Sequence, residues 1–223
     1  AYRMQRDTPI LAHIRNDYRQ GELLEKHLPA QPFELFGQWF DALLKSEPHE
    51  STAMFLATAT PTGLPSLRTV LLKEYSLTEG FVFFTNYSSR KGNELAQNPQ
   101  AALLFYWDKL EQQIRIEGKV VPLSDQKSDD YFAQRPKDSR IGAIASPQSQ
   151  IIPSREALEE RFNNLNLFYQ QHPEQLIRPQ NWGGYALQPT YFEFWQGRSN
   201  RLHDRITYTL QTNNEWKIER LAP

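Results

Sequence analysis

The segment Arg201-Leu-His-Asp-Arg205 gathers two guanidinium groups, an imidazole and a carboxylate into five residues. If it is extended, side chains two apart share a face, so Arg201, His203 and Arg205 point one way and Leu202 and Asp204 the other. Such a face suits an anionic ligand, because Arg grips carboxylate or phosphate in bidentate fashion and His exchanges a proton near neutral pH. A solvated strand face with paired charges has the same pattern, and spacing alone leaves both readings open.

Other groups point to anions as well. Arg68-Thr-Val-Leu-Leu-Lys73 is an apolar strand core between two cations; five apart, they fall on opposite faces, which argues against one shared anion. Edge charges on a structural strand are the plainer alternative. In Thr85-Asn-Tyr-Ser-Ser-Arg-Lys91 a strand runs through a Ser-rich turn into a helix. Free N–H groups at the helix start, with hydroxyls and two cations beside them, form a phosphate cradle, although Ser88 or Ser89 also reads as an ordinary N-cap. Tyr131, Arg135 and Ser139 are spaced by four, but Pro136 interrupts any continuous helix, so Arg135 is expected to end one helix and Ser139 to cap the next. Gln148-Ser149 adds neutral hydrogen-bond partners. Trp182 and Trp195 either stack on a flat heterocycle or belong to the core. His13, His27, His49 and His172 show no metal-ligand spacing, and no metal is expected.

These groups need a scaffold, and the hydrophobic periodicity supplies one. Ile10, Ile14 and Tyr18 recur at helical spacing, Phe33 to Leu44 repeats every three or four positions, and Gly21 to Pro32 links the two. From Thr52 the pattern becomes strand-like: Ala53–Thr60, Ser66–Lys73, Gly80–Thr85, Ala101–Trp107 and Gln113–Leu123, with Pro61-Thr-Gly-Leu64 as a hairpin turn. Helices are expected at Ser88–Gln97, Ser124–Arg135, Ser139–Ala145 and Ser154–Tyr169. Strands return at Gly184–Trp195, Arg201–Leu210 and Trp216–Leu221, with a turn at Thr212-Asn-Asn214. The resulting fold class is mainly β with peripheral helices (α+β), an antiparallel barrel with helices packed outside. No Gly-rich strand-to-helix loop marks a Rossmann or P-loop site.

Composition narrows the function classes. With 223 residues, 39% hydrophobic, the chain suits a single domain with a packed core. Its 25 Lys and Arg nearly balance 26 Asp and Glu, so no global field attracts nucleic acid or an anionic membrane, and any anion site is local. There is no cysteine, which excludes disulfides, thiolate metal sites and cysteine nucleophiles. Apolar runs such as Ala101 to Trp107 are too short to span a bilayer and the polar start lacks a signal-peptide core, so the expected location is cytoplasmic.

Taken in order, RTVLLK (68–73), FTNYSSRK (84–91), YFAQRPKDSRIGA (131–143), FWQGRSNRLHDR (194–205) and WKIERLAP (216–223) closely resemble the pyridoxine/pyridoxamine 5′-phosphate oxidase family, a likeness that runs from about Ile10 to Pro223. The resemblance implies an FMN-binding split β-barrel, residues 9–223 forming one domain after a flexible tail of 1–8, and a homodimer with two FMN molecules at the subunit interface. It implies FMN contacts from Arg68, Thr69, Val70, Leu71, Leu72, Lys73, Phe84, Thr85, Arg90, Lys91, Gln113, Gln148, Ser149, Trp195 and Arg205. It implies substrate phosphate contacts from Lys73, Tyr131, Arg135 and Ser139, with Arg201 and His203 beside the substrate ring as the catalytic pair, and Arg15 and Tyr18 in a stretch that closes over it. The parity difficulty then resolves, Arg68 serving the FMN phosphate and Lys73 the substrate phosphate.

The implied activity is oxidation of pyridoxamine 5′-phosphate and pyridoxine 5′-phosphate to pyridoxal 5′-phosphate, with O₂ reduced to hydrogen peroxide. Two residues depart from the family pattern: Glu50 stands where an aspartate is expected and Phe84 where a tyrosine is common. A flavin oxidase of the phenazine type would keep the FMN residues and change the substrate face. A carrier of pyridoxal phosphate or FMN would bind without turnover.

Overall fold

The computed structural model describes residues 14–46 and 49–223. The expected tail at 1–8, Ile10 and His13 lie outside them. Among the described residues five α-helices surround one nine-stranded antiparallel sheet, so the α+β class read from the periodicity holds.

In chain order come α1 (Pro32–Lys45), β1 (Ala53–Ala59), β2 (Pro65–Leu71), β3 (Glu74–Ser76), β4 (Gly80–Asn86), α2 (Arg90–Gln97), β5 (Gln100–Trp107) and β6 (Gln112–Pro122). Then follow α3 (Asp125–Gln134), α4 (Lys137–Ala145), α5 (Arg155–Gln171), β7 (Trp182–Gln196), β8 (Asp204–Leu210) and β9 (Trp216–Leu221). The sheet path is β2-β1-β5-β6-β7-β4-β3, with β8 and β9 branching from β7. Its two ends, β2 and β3, are consecutive in sequence, joined through Leu72 and Lys73. The path therefore returns on itself and wraps into a split barrel. The 15-residue β7 makes the branch possible: its first half (Trp182–Leu187) pairs with β4, its second half (Tyr191–Gln196) with β8, and β6 runs along its other side.

The barrel is filled with aromatic rings. Phe81, Phe83, Phe105, Phe192, Phe194 and Tyr208 are all fully buried. Helix α1 adds Leu35, Phe36, Trp39, Phe40 and Leu43, a spacing that puts all five on one stripe. Phe36 meets Phe81 and Phe105 edge-on at ring distances of 5.0 and 5.3 Å. Each such side chain contributes about 1.5–3 kcal/mol by leaving water.

Three sequence expectations fail locally. Residues 14–19 adopt no helix; apolar spacing over two turns is too little to nucleate one. Ser139 does not cap α4, which begins two residues earlier at Lys137, with Pro136 in the cap position. Proline forces Arg135 into extended backbone (φ −69°, ψ 148°) and so ends α3. The strand expected from Arg201 begins only at Asp204. Ser199–Arg201 is a short 3-10 turn, with Asn200 and Arg201 in the left-handed region at φ 57° and 60°. The alternation that put Arg201, His203 and Arg205 on one strand face is therefore absent. No helix among the described residues is long and apolar enough to cross a membrane.

Candidate functional site

Two cavities gather most of the residues singled out by sequence, and they share none. The first, of about 560 Å³, is lined by Thr69, Val70 and Leu71 of β2, Lys73, Phe84 and Thr85 of β4, Lys91 of α2, Tyr131 and Gln134 of α3, Arg135, Pro136, Ser139 of α4, Gln148 and Trp182. Because β2 ends the sheet path, one edge of its backbone has no strand partner among the described residues, leaving N–H and C=O groups beside the cavity.

This lining carries three cations, Lys73, Lys91 and Arg135, and no carboxylate. Lys91 is buried, and its Nζ donates to Thr85 Oγ1 at 2.9 Å and Gln148 Oε1 at 2.8 Å, both neutral. Burial, and secondarily Arg68, depress its pKa to about 8. Helix α2 places it: Ser89 caps the helix by accepting from Gly92 N–H at 3.2 Å, leaving Lys91 in the first turn. Among the described residues Arg135 meets only a neutral acceptor, Ser139 O at 3.2 Å, and lies 4.9 Å from the Trp182 ring centroid. Burial lowers its pKa. Trp182, Phe84 and Tyr131 form a parallel stack, with Phe84 and Tyr131 3.8 Å apart and Phe84 and Trp182 5.5 Å apart. A buried cation without a counter-charge is costly, so the cavity is built for anionic groups beside a flat ring.

Arg68 and Arg90 lie just outside this lining. Arg68 donates to Thr58 Oγ1 at 2.6 Å and Ser66 Oγ at 2.5 Å, and comes within 4.0 Å of the buried Glu94. Arg90 reaches the same carboxylate at 3.7 Å. Arg68 and Lys73 thus serve different surroundings, as their odd spacing implied. Leu72 is in the core. Ser149, next to Gln148, is exposed and left-handed at φ 69°.

The second cavity, of about 660 Å³, is lined by Ile14, Arg15, Asn16, Asp17, Tyr18, Trp195, Arg198, Asn200, Arg201 and His203. It joins two segments about 180 positions apart. The left-handed turn at Asn200 and Arg201 brings Arg201 and His203 to the same cavity without a strand. Tyr18 and Trp195 pack on the His203 imidazole, at ring distances of 5.6 and 4.8 Å. Nδ1 of that ring accepts from the Arg198 N–H at 3.0 Å. Burial, then Arg201, lowers the His203 pKa, which Asp204 partly opposes.

Arg205 does not join them. It makes a bidentate pair with Glu193, at 2.8 and 3.2 Å, and donates to Ala222 O at 3.0 Å. Gln113 sits opposite Trp195 in the β6–β7 register, outside both linings. Glu50 is exposed and also outside them. Sequence reasoning left Trp182 undecided between stacking and core; it is buried, and it also lines the first cavity. Gln134 and Arg198 were not singled out; Arg198 carried one signal, its place beside the Arg201–Arg205 segment.

Residues 40–168 match the family described as pyridoxamine 5′-phosphate oxidase, and residues 182–223 match the pyridoxine 5′-phosphate oxidase C-terminal dimerisation region. A pyridoxine/pyridoxamine 5′-phosphate oxidase of Trichormus variabilis is 50% identical over 213 residues, covering 96% of this chain and 98% of the relative. That of Polynucleobacter asymbioticus is 52% identical over 213 residues, covering 96% and 99%. The structure of PhzG from Burkholderia lata in complex with tetrahydrophenazine-1-carboxylic acid superimposes with a TM-score of 0.83 at 33% identity, covering 91% of this chain and 98% of that one. A pyridoxamine 5′-phosphate oxidase-related, FMN-binding protein from Nostoc punctiforme shares the fold, with a TM-score of 0.68 at 20% identity over 86% of this chain and 98% of that one.

Proposed function

The chain belongs to the pyridoxamine 5′-phosphate oxidase family, and from that premise we propose that it is a homodimeric, FMN-dependent oxidase that converts pyridoxamine 5′-phosphate and pyridoxine 5′-phosphate to pyridoxal 5′-phosphate. The observation that carries this reading is the first cavity, with three cations, no carboxylate and a stack of aromatic rings. Two phosphorylated, flat ligands fit that chemistry.

Lys91, with Thr85 and Gln148 around its amine, the backbone edge of β2 and the Phe84 ring would hold FMN, joined by Arg68, Arg90, Gln113, Ser149, Trp195 and Arg205. Lys73, Tyr131, Arg135 and Ser139 would hold the substrate phosphate, the guanidinium by paired hydrogen bonds and the hydroxyls by single ones. When bound, FMN supplies a two-electron acceptor for the hydride that leaves the substrate C4′ carbon, and O₂ then takes up the electrons as hydrogen peroxide. Arg201 and His203 orient the substrate ring, and Arg15 and Tyr18 cover it and exclude water. His203 hydrogen-bonds the substrate amine or alcohol beside the reacting carbon. For the amine, water completes the release of ammonia.

The dimerisation region matched at 182–223 supports a homodimer. It spans Arg201 and His203, while the phosphate-binding residues lie in the preceding part of the chain. We infer that the first cavity of one subunit faces the second cavity of its partner, each pair making one complete site.

The test is aerobic addition of pyridoxamine 5′-phosphate to FMN-loaded protein, following pyridoxal 5′-phosphate and peroxide. Both should form in equal amounts. A flavin-loaded protein that forms neither is a carrier, not an oxidase. The likeness to PhzG supports a second reading, a flavin oxidase acting on a tricyclic carboxylate; turnover of such a substrate without turnover of pyridoxamine 5′-phosphate would favour it.

A further inference from the structure

We propose that Asp204 and Arg198 are positioning residues that hold His203 as a neutral imidazole with its proton on Nε2, so that His203 offers a hydrogen-bond donor to the second cavity. A ring nitrogen that accepts an N–H carries no proton of its own. The Arg198 N–H donates to Nδ1 at 3.0 Å, so the single proton of the neutral ring sits on Nε2. Nε2 has no partner among the described residues. To become cationic, the ring would have to protonate Nδ1 and expel the backbone donor.

What keeps that donor aimed is a buried carboxylate. Asp204 accepts from Arg198 Nη1 at 2.7 Å, from Arg220 Nη1 at 2.7 Å and from the Leu23 N–H at 2.9 Å. Arg220 in turn bonds Glu25 at 2.5 Å and Leu23 O at 2.7 Å. One carboxylate thus ties the 198–203 loop to β9 and to the segment before α1. The loop needs a tether, because Asn200 and Arg201 both occupy left-handed backbone that non-glycine residues adopt at a cost. The rings of Tyr18 and Trp195 pack the imidazole and limit its rotation. Burial and then Arg201 disfavour the imidazolium, Asp204 favours it, and the net direction is down. Burial pushes the Asp204 carboxyl up, but the Leu23 N–H, Arg198 and Arg220 together hold it below the ordinary carboxylate range.

The tautomer does not depend on the proposed reaction; only its kinetic consequence rests on that reading. The full chain, FMN-loaded and labelled with ¹⁵N-histidine, is examined by two-bond ¹H–¹⁵N correlation at neutral pH, with His203 identified by the signal lost in His203→Gln. The expected pattern is an unprotonated Nδ1 and a protonated Nε2. The reverse pattern, or the averaged one of exchanging tautomers, would overturn the proposal. Asp204→Asn and Arg198→Ala should each produce the averaged pattern and lower kcat about tenfold to a hundredfold, with KM nearly unchanged. Arg198→Lys should restore the wild-type pattern. If Asp204→Asn does not fold, Arg198→Ala carries this arm, since it keeps the backbone donor and removes only the tether. A wild-type pattern in Arg198→Ala would show that neither side chain positions the ring. A protein with the expected tautomer but no oxidase activity would refute the functional reading and leave this inference standing.

Discussion

Lys91 is the side chain whose environment makes the sharpest demand for a ligand. Among the described residues its amine meets only Thr85 and Gln148, and its pKa is lowered to about 8. Below that pH the cation is ready for a phosphate; above it, binding must first return the proton, so the dissociation constant for FMN should rise with pH, approaching tenfold per unit. Lys91→Met should weaken FMN binding at pH 7 by about tenfold or more and lose this pH dependence, as read by flavin fluorescence titration. The sign for stability is the opposite. Without cofactor, the unfolded chain keeps the lysine proton up to its ordinary value of 10.5, so between about 8 and that value the unfolded state binds more protons and stability rises with pH. Arg135 supplies a second check: Trp182→Leu removes the ring beneath the guanidinium and should raise KM for the phosphorylated substrate several-fold, about 1 kcal/mol of binding, with kcat little changed. Cation spacing made much of this legible in sequence. What it missed at 201–205 has a local cause, since two left-handed residues re-aim Arg201 and His203, and Glu193 draws Arg205 away.

At the scale of elements, the strands were the most readable part, because half-buried strands alternate visibly, as in the burial of β1 and β6. Helical spacing misled over the described residues 14–19, because a few apolar residues at the right spacing do not make a helix without a surface to pack on. Here the described part serves instead as one wall of a cavity. Pro136 was read correctly as a break, but the first turn of α4 starts earlier than Ser139 because proline itself takes the cap position. Helix α2 yields a prediction against propensity. Alanine normally stabilises a helix relative to glycine by about 1 kcal/mol. At Gly92, however, a Cβ would lie 2.2 Å from Tyr87 O and 2.5 Å from Tyr87 C, both backbone. Gly92→Ala should therefore destabilise by about 1–3 kcal/mol in urea unfolding and weaken FMN binding through the displaced Lys91. A more stable variant would mean that the approach of α2 to Tyr87 is not rigid.

At the scale of the molecule, the proposed function requires two cavities with no residue in common to make one site across a dimer. No strand alternation or motif order could have shown that they are separate within a chain, because separation depends on how β7 divides between β4 and β8. A mixture of subunits tests the shared-site arrangement. Arg135→Ala damages the first cavity and Arg201→Ala the second, and each alone should be nearly inactive while still binding FMN. Unfolded and refolded together in equal amounts, they should recover about a quarter of wild-type activity, since half of the randomly paired dimers would hold one intact site of two. No recovery would place both cavities of a site within one subunit.

The central claim, that electrons pass from a phosphorylated pyridine substrate to a flavin held here, is tested most directly by anaerobic mixing. FMN-loaded protein should lose its visible flavin band on addition of pyridoxamine 5′-phosphate, form one pyridoxal 5′-phosphate per flavin, and regain the band with peroxide when O₂ is admitted. A flavin band unchanged by saturating substrate would contradict the account.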